Sequence, residues 1–296
     1  MRLIGVVLLV LCYLIESCLI GIQEAKAGEL ELRIANFPQW EKIKTVKSAE
    51  GELVYPDWME GNWQLKSTLV DLVAPLAPDI VTPGFEGNRR YLQEPISFPV
   101  KFVPERLLDL NLQTTAGKES KVSEIVADRA FNSLSLARAY LGDSTVLSVK
   151  VDPDSSLRQV TFLRGKCPNN YYERGKYDKL FKDAQCDRQL VSVVKARATE
   201  YTGDGQFITC EVFQQFFKGT DRPYFNTVES TTAYRQLPKV KLSKIQPSKT
   251  QQLKTNQPAI VAEQVTAVYL SPQDPNYFKA GSRPVALYKY HLDFYR

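Results

Sequence analysis

Hydrophobic and polar positions alternate with a period of two over most of the chain after residue 60, the pattern of half-buried β-strands. In the first such stretch Trp63, Leu65, Ser67 and Leu69 share one face, and Gln64, Lys66 and Thr68 share the other. Comparable stretches cover residues 98–103, 147–151, 160–162, 190–200, 207–218, 225–235, 260–270 and 285–295, about nine strands in all. Asp152-Pro153-Asp154, Gly203-Asp204-Gly205 and Gly219-Thr220-Asp221 read as tight turns between successive strands, so most neighbours should pair as a meander. One stretch departs from the alternation. Val122, Ile125, Val126, Ala130, Leu134, Ala137 and Leu141 recur at helical spacing, and Gly142 follows where a C-terminal cap belongs. The pattern predicts one amphipathic helix, or two short ones, over residues 120–141. The expected fold is therefore mainly all-β: an antiparallel meander β-barrel of about 8–10 strands with one amphipathic helix and long loops.

The ends and the long loops organise the rest. Arg2, the apolar run from Leu3 to Ile15 and the small-x-small triplet Ala25-Lys26-Ala27 have the order of a secretory signal peptide over residues 1–27. Two rivals stand beside it: lipidation at Cys18, and retention of residues 3–22 as a membrane anchor. Residues 28–54 read as an N-terminal extension whose Phe37, Trp40 and Ile43 suit packing against the outside of the barrel. Residues 55–296 read as a single barrel domain. Residues 72–95 and 237–258 are long loops. The second, bounded by Leu237 and Pro258, carries Lys239, Lys241, Lys244, Lys249 and Lys254 without an acidic residue. It suits an acidic partner or an anionic lipid surface.

Chemistry is sparse. The net charge of +5 is scattered, which argues against a nucleic-acid partner. The sequence carries neither a phosphate loop nor a nucleophile elbow, and Asp152-x-Asp154-x-Ser156 lacks the Gly and distant Glu of a calcium loop. The single histidine, His291, shares a face with Lys289 and Asp293, opposite Tyr288, Tyr290, Leu292 and Phe294, and so points to solvent. No catalytic residue, metal or cofactor is expected. An exported chain meets oxidising conditions, so Cys167 and Cys186 are read as a disulfide closing a polar loop, and Cys210 as a buried thiol. If a cavity exists, Trp63, Leu65, Ser67, Phe207, Glu211, Phe213 and Arg235 are its candidate ligand-binding residues. They are apolar or aromatic positions with a few polar groups placed to orient a head group.

Three blocks carry a resemblance. Tyr55-Pro56-Asp57-Trp58-Met59-Glu60-Gly61-Asn62-Trp63 with residues 67–90, then residues 127–142 from Ala127 to Gly142, then residues 227–235 from Thr227 to Arg235, resemble an uncharacterised exported family of cyanobacteria and plant chloroplasts. The resemblance implies a thylakoid-lumen or periplasmic location and supplies no activity. Gly61-Asn62-Trp63 is also similar to the opening of calycin barrels, the lipocalin, fatty-acid-binding and nitrobindin-like proteins, in which a Trp two residues after a Gly plugs one end. The resulting expectation is a barrel binding a lipid, quinone, carotenoid or tetrapyrrole. A ligand-free assembly factor for photosynthetic membrane complexes is the alternative, and a barrel isomerase or cyclase using Glu211 as base is the third.

Overall fold

A computed structural model describes residues 27–105, 123–166, 185–219, 224–238 and 257–296, with the side chains of residues 166, 185 and 186 left aside. Helix α1 (Glu29–Ala35) is followed by the short strands β1 (Lys47–Ser48) and β2 (Val54–Tyr55), then by β3 (Gly61–Val73) and β4 (Pro95–Pro104). After β5 (Ile125–Ala127) and helix α2 (Arg129–Leu141) come β6 (Val146–Asp152), β7 (Ser155–Lys166), β8 (Gln185–Tyr201), β9 (Phe207–Lys218), β10 (Tyr224–Gln236) and β11 (Ile260–Leu270). The one-turn helix α3 (Tyr277–Ala280) precedes β12 (Ala286–Tyr295).

All twelve strands join one antiparallel sheet in the order β2-β5-β4-β3-β12-β11-β10-β9-β8-β7-β6, with β1 added alongside β8. From β6 to β12 the sheet is a meander, and β12 then pairs with β3, tying the end of the chain to its first long strand. The sheet curls into a half-barrel. Helix α2 packs against both β4 and β6 and spans the seam that strand pairing leaves between them. Side chains on α2 hold both sides. Asn132 accepts from the Lys101 backbone N–H at 2.7 Å and donates to the Lys101 carbonyl at 2.9 Å, imitating a neighbouring strand. Next to it, Ser133 and Gln159 of β7 exchange hydrogen bonds.

The inward face packs at one end into an aromatic floor of Trp63, Phe102, Phe207, Tyr234 and Phe294 around Met59. Trp63 is fully enclosed there: its indole N–H donates to the Met59 carbonyl at 2.7 Å and its ring meets Phe294 edge-on at 6.4 Å. The chain reaches this position through Gly61 at φ +131°, a backbone region that side chains avoid.

The outer face of β9 to β12 is covered by the N-terminal segment. Leu30, Ile34 and Ile43 pack on Ile208, Cys210 and Ala233. Trp40 packs on Val265, Ala267, Tyr269 and Leu287, with Phe37 beside it. A latch sits beneath. Glu229, wholly buried on the outer face of β10, is paired with Arg33 of α1 at 2.5 Å and accepts from Tyr269 Oη at 3.0 Å and Thr231 Oγ1 at 3.3 Å. The Arg33 guanidinium also donates to the Glu41 carbonyl at 2.8 Å and lies 4.4 Å from the Trp40 ring centroid. The N-terminus of α1 is held from β8, where the Glu200 carboxylate accepts from the Leu30 and Glu31 amides.

Four expectations change. The nine long strands are those read from alternation, but β1, β2 and β5 are additional and too short to show a period. The barrel is not closed by strand pairing, because α2 occupies the seam. The helix begins at Arg129: Ile125 and Val126 pair with Pro104 and Val103 as strand residues, Asp128 caps the helix by accepting from Phe131 N–H at 3.0 Å, and residues 120–122 lie outside the described residues. Finally, Arg235 shares the outward face of β10 with Thr227, Glu229 and Thr231. Their polar side chains face the N-terminal segment or solvent, and only the alternate residues Val228, Ser230 and Tyr234 line the interior. Among the described residues no helix is long and apolar enough to cross a membrane.

Candidate functional site

Above the aromatic floor the curled sheet and α2 flank an open-sided cavity of about 740 Å³. Period-two alternation builds its walls. Leu65, Ser67 and Leu69 of β3, Phe98 and Val100 of β4, Phe213 and Gln215 of β9, and Val228 and Ser230 of β10 face it. So do Gln264, Thr266 and Val268 of β11 and Tyr288, Tyr290 and Leu292 of β12. The far end is covered by the loop after β3, a single 3₁₀ stretch (Glu86–Tyr91) supplying Asn88 and Tyr91. Asn88 donates to Tyr288 Oη at 3.1 Å, and the Tyr91 hydroxyl reaches the Tyr140 carbonyl at 3.3 Å.

The interior is apolar with a few fixed polar points. Gln264 Nε2 donates to Ser230 Oγ at 2.6 Å, and Ser67 hydrogen-bonds the Tyr140 hydroxyl. Burial pushes the phenols up: that of Tyr234 to about 12, and those of Tyr140, Tyr288 and Tyr290 also upward, so all remain neutral donors near neutrality.

A second compartment of about 360 Å³ adjoins the first, sharing Asn132, Leu136, Ala137, Leu190, Phe213 and Gln215 with it. Its distal wall is charged. Arg129, the first residue of α2, places Nη1 3.5 Å from Glu211 Oε1 and 3.8 Å from Glu52 Oε2, while Arg197 Nη2 lies 3.1 Å from Glu211 Oε1. Burial pushes the Glu52 carboxyl up, and the Arg129 charge pulls partly the other way.

Of the residues singled out from sequence, Leu65, Ser67 and Phe213 line the large cavity, and Glu211 with Phe213 lines the small one. Trp63 and Phe207 form the floor beneath them. Arg235 stands apart, in an exposed pair with Asp204 at 2.6 Å. Cys167 and the Cys186 side chain, with the staple they were expected to form, lie outside the described residues, as does most of the basic loop at 237–258. Cys210 is a buried free thiol under the N-terminal segment, its pKa raised to about 12 by burial and then by Glu229. His291 lies on the outer face, 3.2 Å from Asp293. Sequence reasoning missed Arg129, Glu52, Ser230 and Gln264. Ser230 and Gln264 alternate correctly with Val228 and Thr266, a signal that was there to be used. Arg129 and Glu52 lie outside any alternating strand and carry none.

The sequence profile of a family described as domain of unknown function (DUF6816) matches residues 47–173 and 178–296, and the chain belongs to that family. No curated protein and no solved structure matches it.

Proposed function

We propose that this member of the DUF6816 family holds an apolar or amphipathic small molecule inside its curled sheet. One observation carries the reading: α2 turns its apolar side into the cavity without fully burying a single apolar residue. Leu136 and Leu141 remain 44% and 49% exposed although both line the two compartments. An amphipathic helix normally buries that side against a core. Here it borders space of about 740 Å³, within the ~300–1,000 Å³ of small-molecule pockets, with mixed lining of the kind that orients one end of a ligand. An occupant filling the space would be stabilised by roughly 25 cal/mol for each Å² of apolar surface it covers. Lipids, quinones, carotenoids and tetrapyrroles are the classes this reading favours, in an exported setting such as a periplasm or thylakoid lumen.

The test is mass spectrometry of an organic extract of the mature protein purified from its native compartment. One enriched apolar compound near equimolar ratio supports the reading. Ala137→Trp, which fills the cavity from α2, should then copurify with less than a tenth of it. Equal amounts on both proteins would place the compound elsewhere.

A second reading, attachment to a protein partner through the surface, is favoured by Phe278. Its ring on α3 is 90% exposed, next to the Lys279–Asp79 pair that joins α3 to the loop bearing the half-exposed Val81. Phe278→Ser should abolish a stoichiometric complex recovered from solubilised membranes, if that reading holds.

A further inference from the structure

We infer that the small compartment is a head-group subsite for an uncharged acceptor oxygen, so that the ligand is an apolar molecule bearing a carbonyl-type group at one end. The inference rests on the cavity reading above and names the chemistry of its polar end. It begins with Arg129. A guanidinium carries five N–H donors in a fixed fork. A buried charge needs both a counter-charge and aligned hydrogen bonds. The Arg129 side chain, about five-sixths buried, has the first and lacks the second. It stands between Glu211 at 3.5 Å and Glu52 at 3.8 Å, and its Nε is fully buried without a hydrogen-bond partner among the described residues. Both contacts are longer than a charge-assisted hydrogen bond, which falls at about 2.7–2.9 Å. Glu211 and Glu52 line the compartment together with Arg129, and Asn132, Ser133, Gln159, Thr161, Ser192 and Gln215 complete its polar lining.

The formal charges decide which acceptor fits. Arg129 and Arg197 balance Glu52 and Glu211, and Arg197 is further held by the Gly51 carbonyl at 3.1 Å. A carboxylate or phosphate head would bring a third negative charge among two cations in a partly buried site, against the desolvation cost of all of them. A ketone, quinone or ester oxygen takes the terminal guanidinium N–H groups, which make only the two long contacts to the carboxylates, and leaves the balance intact. The apolar body then extends past Phe213 and the Leu136–Ala137 face of α2, the surfaces common to both compartments.

The experiment uses the mature chain and N-phenylnaphthylamine as an uncharged fluorescent probe of the large cavity. Three competitors of equal chain length displace it: a long-chain methyl ketone, the corresponding fatty acid and the corresponding branched hydrocarbon. The ketone is expected to displace the probe at about tenfold lower concentration than either of the others, the effect of one hydrogen bond to a charged donor. Arg129→Met should remove that advantage, so that the ketone and the hydrocarbon displace the probe at concentrations within about twofold of each other. Arg129→Lys, which retains the charge between Glu52 and Glu211 but not the planar fork, controls for folding and should recover only part of the advantage. A ketone no better than the hydrocarbon, a fatty acid that binds tightest, or a ketone advantage that survives Arg129→Met would each overturn the head-group assignment. Failure of the parent protein to bind the probe saturably would instead overturn the cavity reading on which it rests.

Discussion

The latch between α1 and the sheet makes an asymmetric prediction. Glu229 is wholly buried, whereas Arg33 retains about a seventh of its side-chain surface. Arg33→Met strands a carboxylate that keeps Tyr269, Thr231 and the more distant Ile43 amide as donors but loses its only close cation among the described residues. Removing one partner of a buried pair costs about 3–5 kcal/mol because the other charge stays behind. Glu229→Gln strands the arginine instead. Arg33 keeps the Glu41 carbonyl and the Trp40 ring and can turn its free edge to water, so the loss should be nearer ~1–3 kcal/mol. The double variant should lose less than the sum, with a coupling on the order of 2 kcal/mol. Urea unfolding followed by Trp fluorescence measures all three, since Trp40 reports the latch directly. For Arg33→Met the melting temperature should fall on the order of 10 °C. Equal and small losses in both single variants, below about 1 kcal/mol, or strict additivity in the double, would refute the argument that the buried carboxylate dominates the pair.

Other expectations follow from single contacts. Asn132→Ala removes both hydrogen bonds that let α2 imitate a strand beside β4, and should cost about 1–3 kcal/mol and raise hydrogen exchange at Lys101 above that of its strand neighbours. Trp63→Ala opens the floor and should cost about 3–5 kcal/mol by urea denaturation, and Trp63→Phe less, mainly the Met59 hydrogen bond. Cys210 should resist alkylation at pH 8 in the native protein and react promptly in urea, as peptide mapping of that thiol would show. Tyr234, with a folded pKa near 12 against about 10 unfolded, and Cys210, near 12 against about 8.5, stay neutral when folded and ionise when unfolded. Their contribution is complete below the unfolded values and is lost as pH rises, so the urea midpoint should hold to about pH 8 and fall between there and about pH 12. A midpoint that rises over that window would contradict the burial of these groups.

How much was legible follows from which physical rule each region obeys. The long strands obey one rule, because a face packed inward and a face turned outward force alternation. The inward faces of β3, β9 and β12 were therefore readable from Leu65, Phe213 and Tyr290. On β10 both faces are buried, one in the cavity and one under α1, and alternation alone does not say which is which. Arg235 was misassigned for that reason. Ile125 and Val126 were misread because a three-residue strand joined to a helix has no period of its own, and both residues fit either spacing. Apart from Glu211, the charged wall was invisible for a different reason. Arg129, Arg197, Glu52 and Glu211 come from four separate parts of the chain and become neighbours only through pairing register.

The pairing of β12 with β3 sets an order of events for folding. Residues 64–73 and 287–295 are direct partners, so one side of β3 stays unpaired until β12 has been made. Closing so long a loop carries a large entropic cost, and sheets dominated by distant pairings form slowly. Until then β3 presents a long unpaired edge to any other strand, including another copy of itself. A chain shortened by its final ten residues would keep that edge open at both β3 and β11. β12, made long after β3, thus protects it.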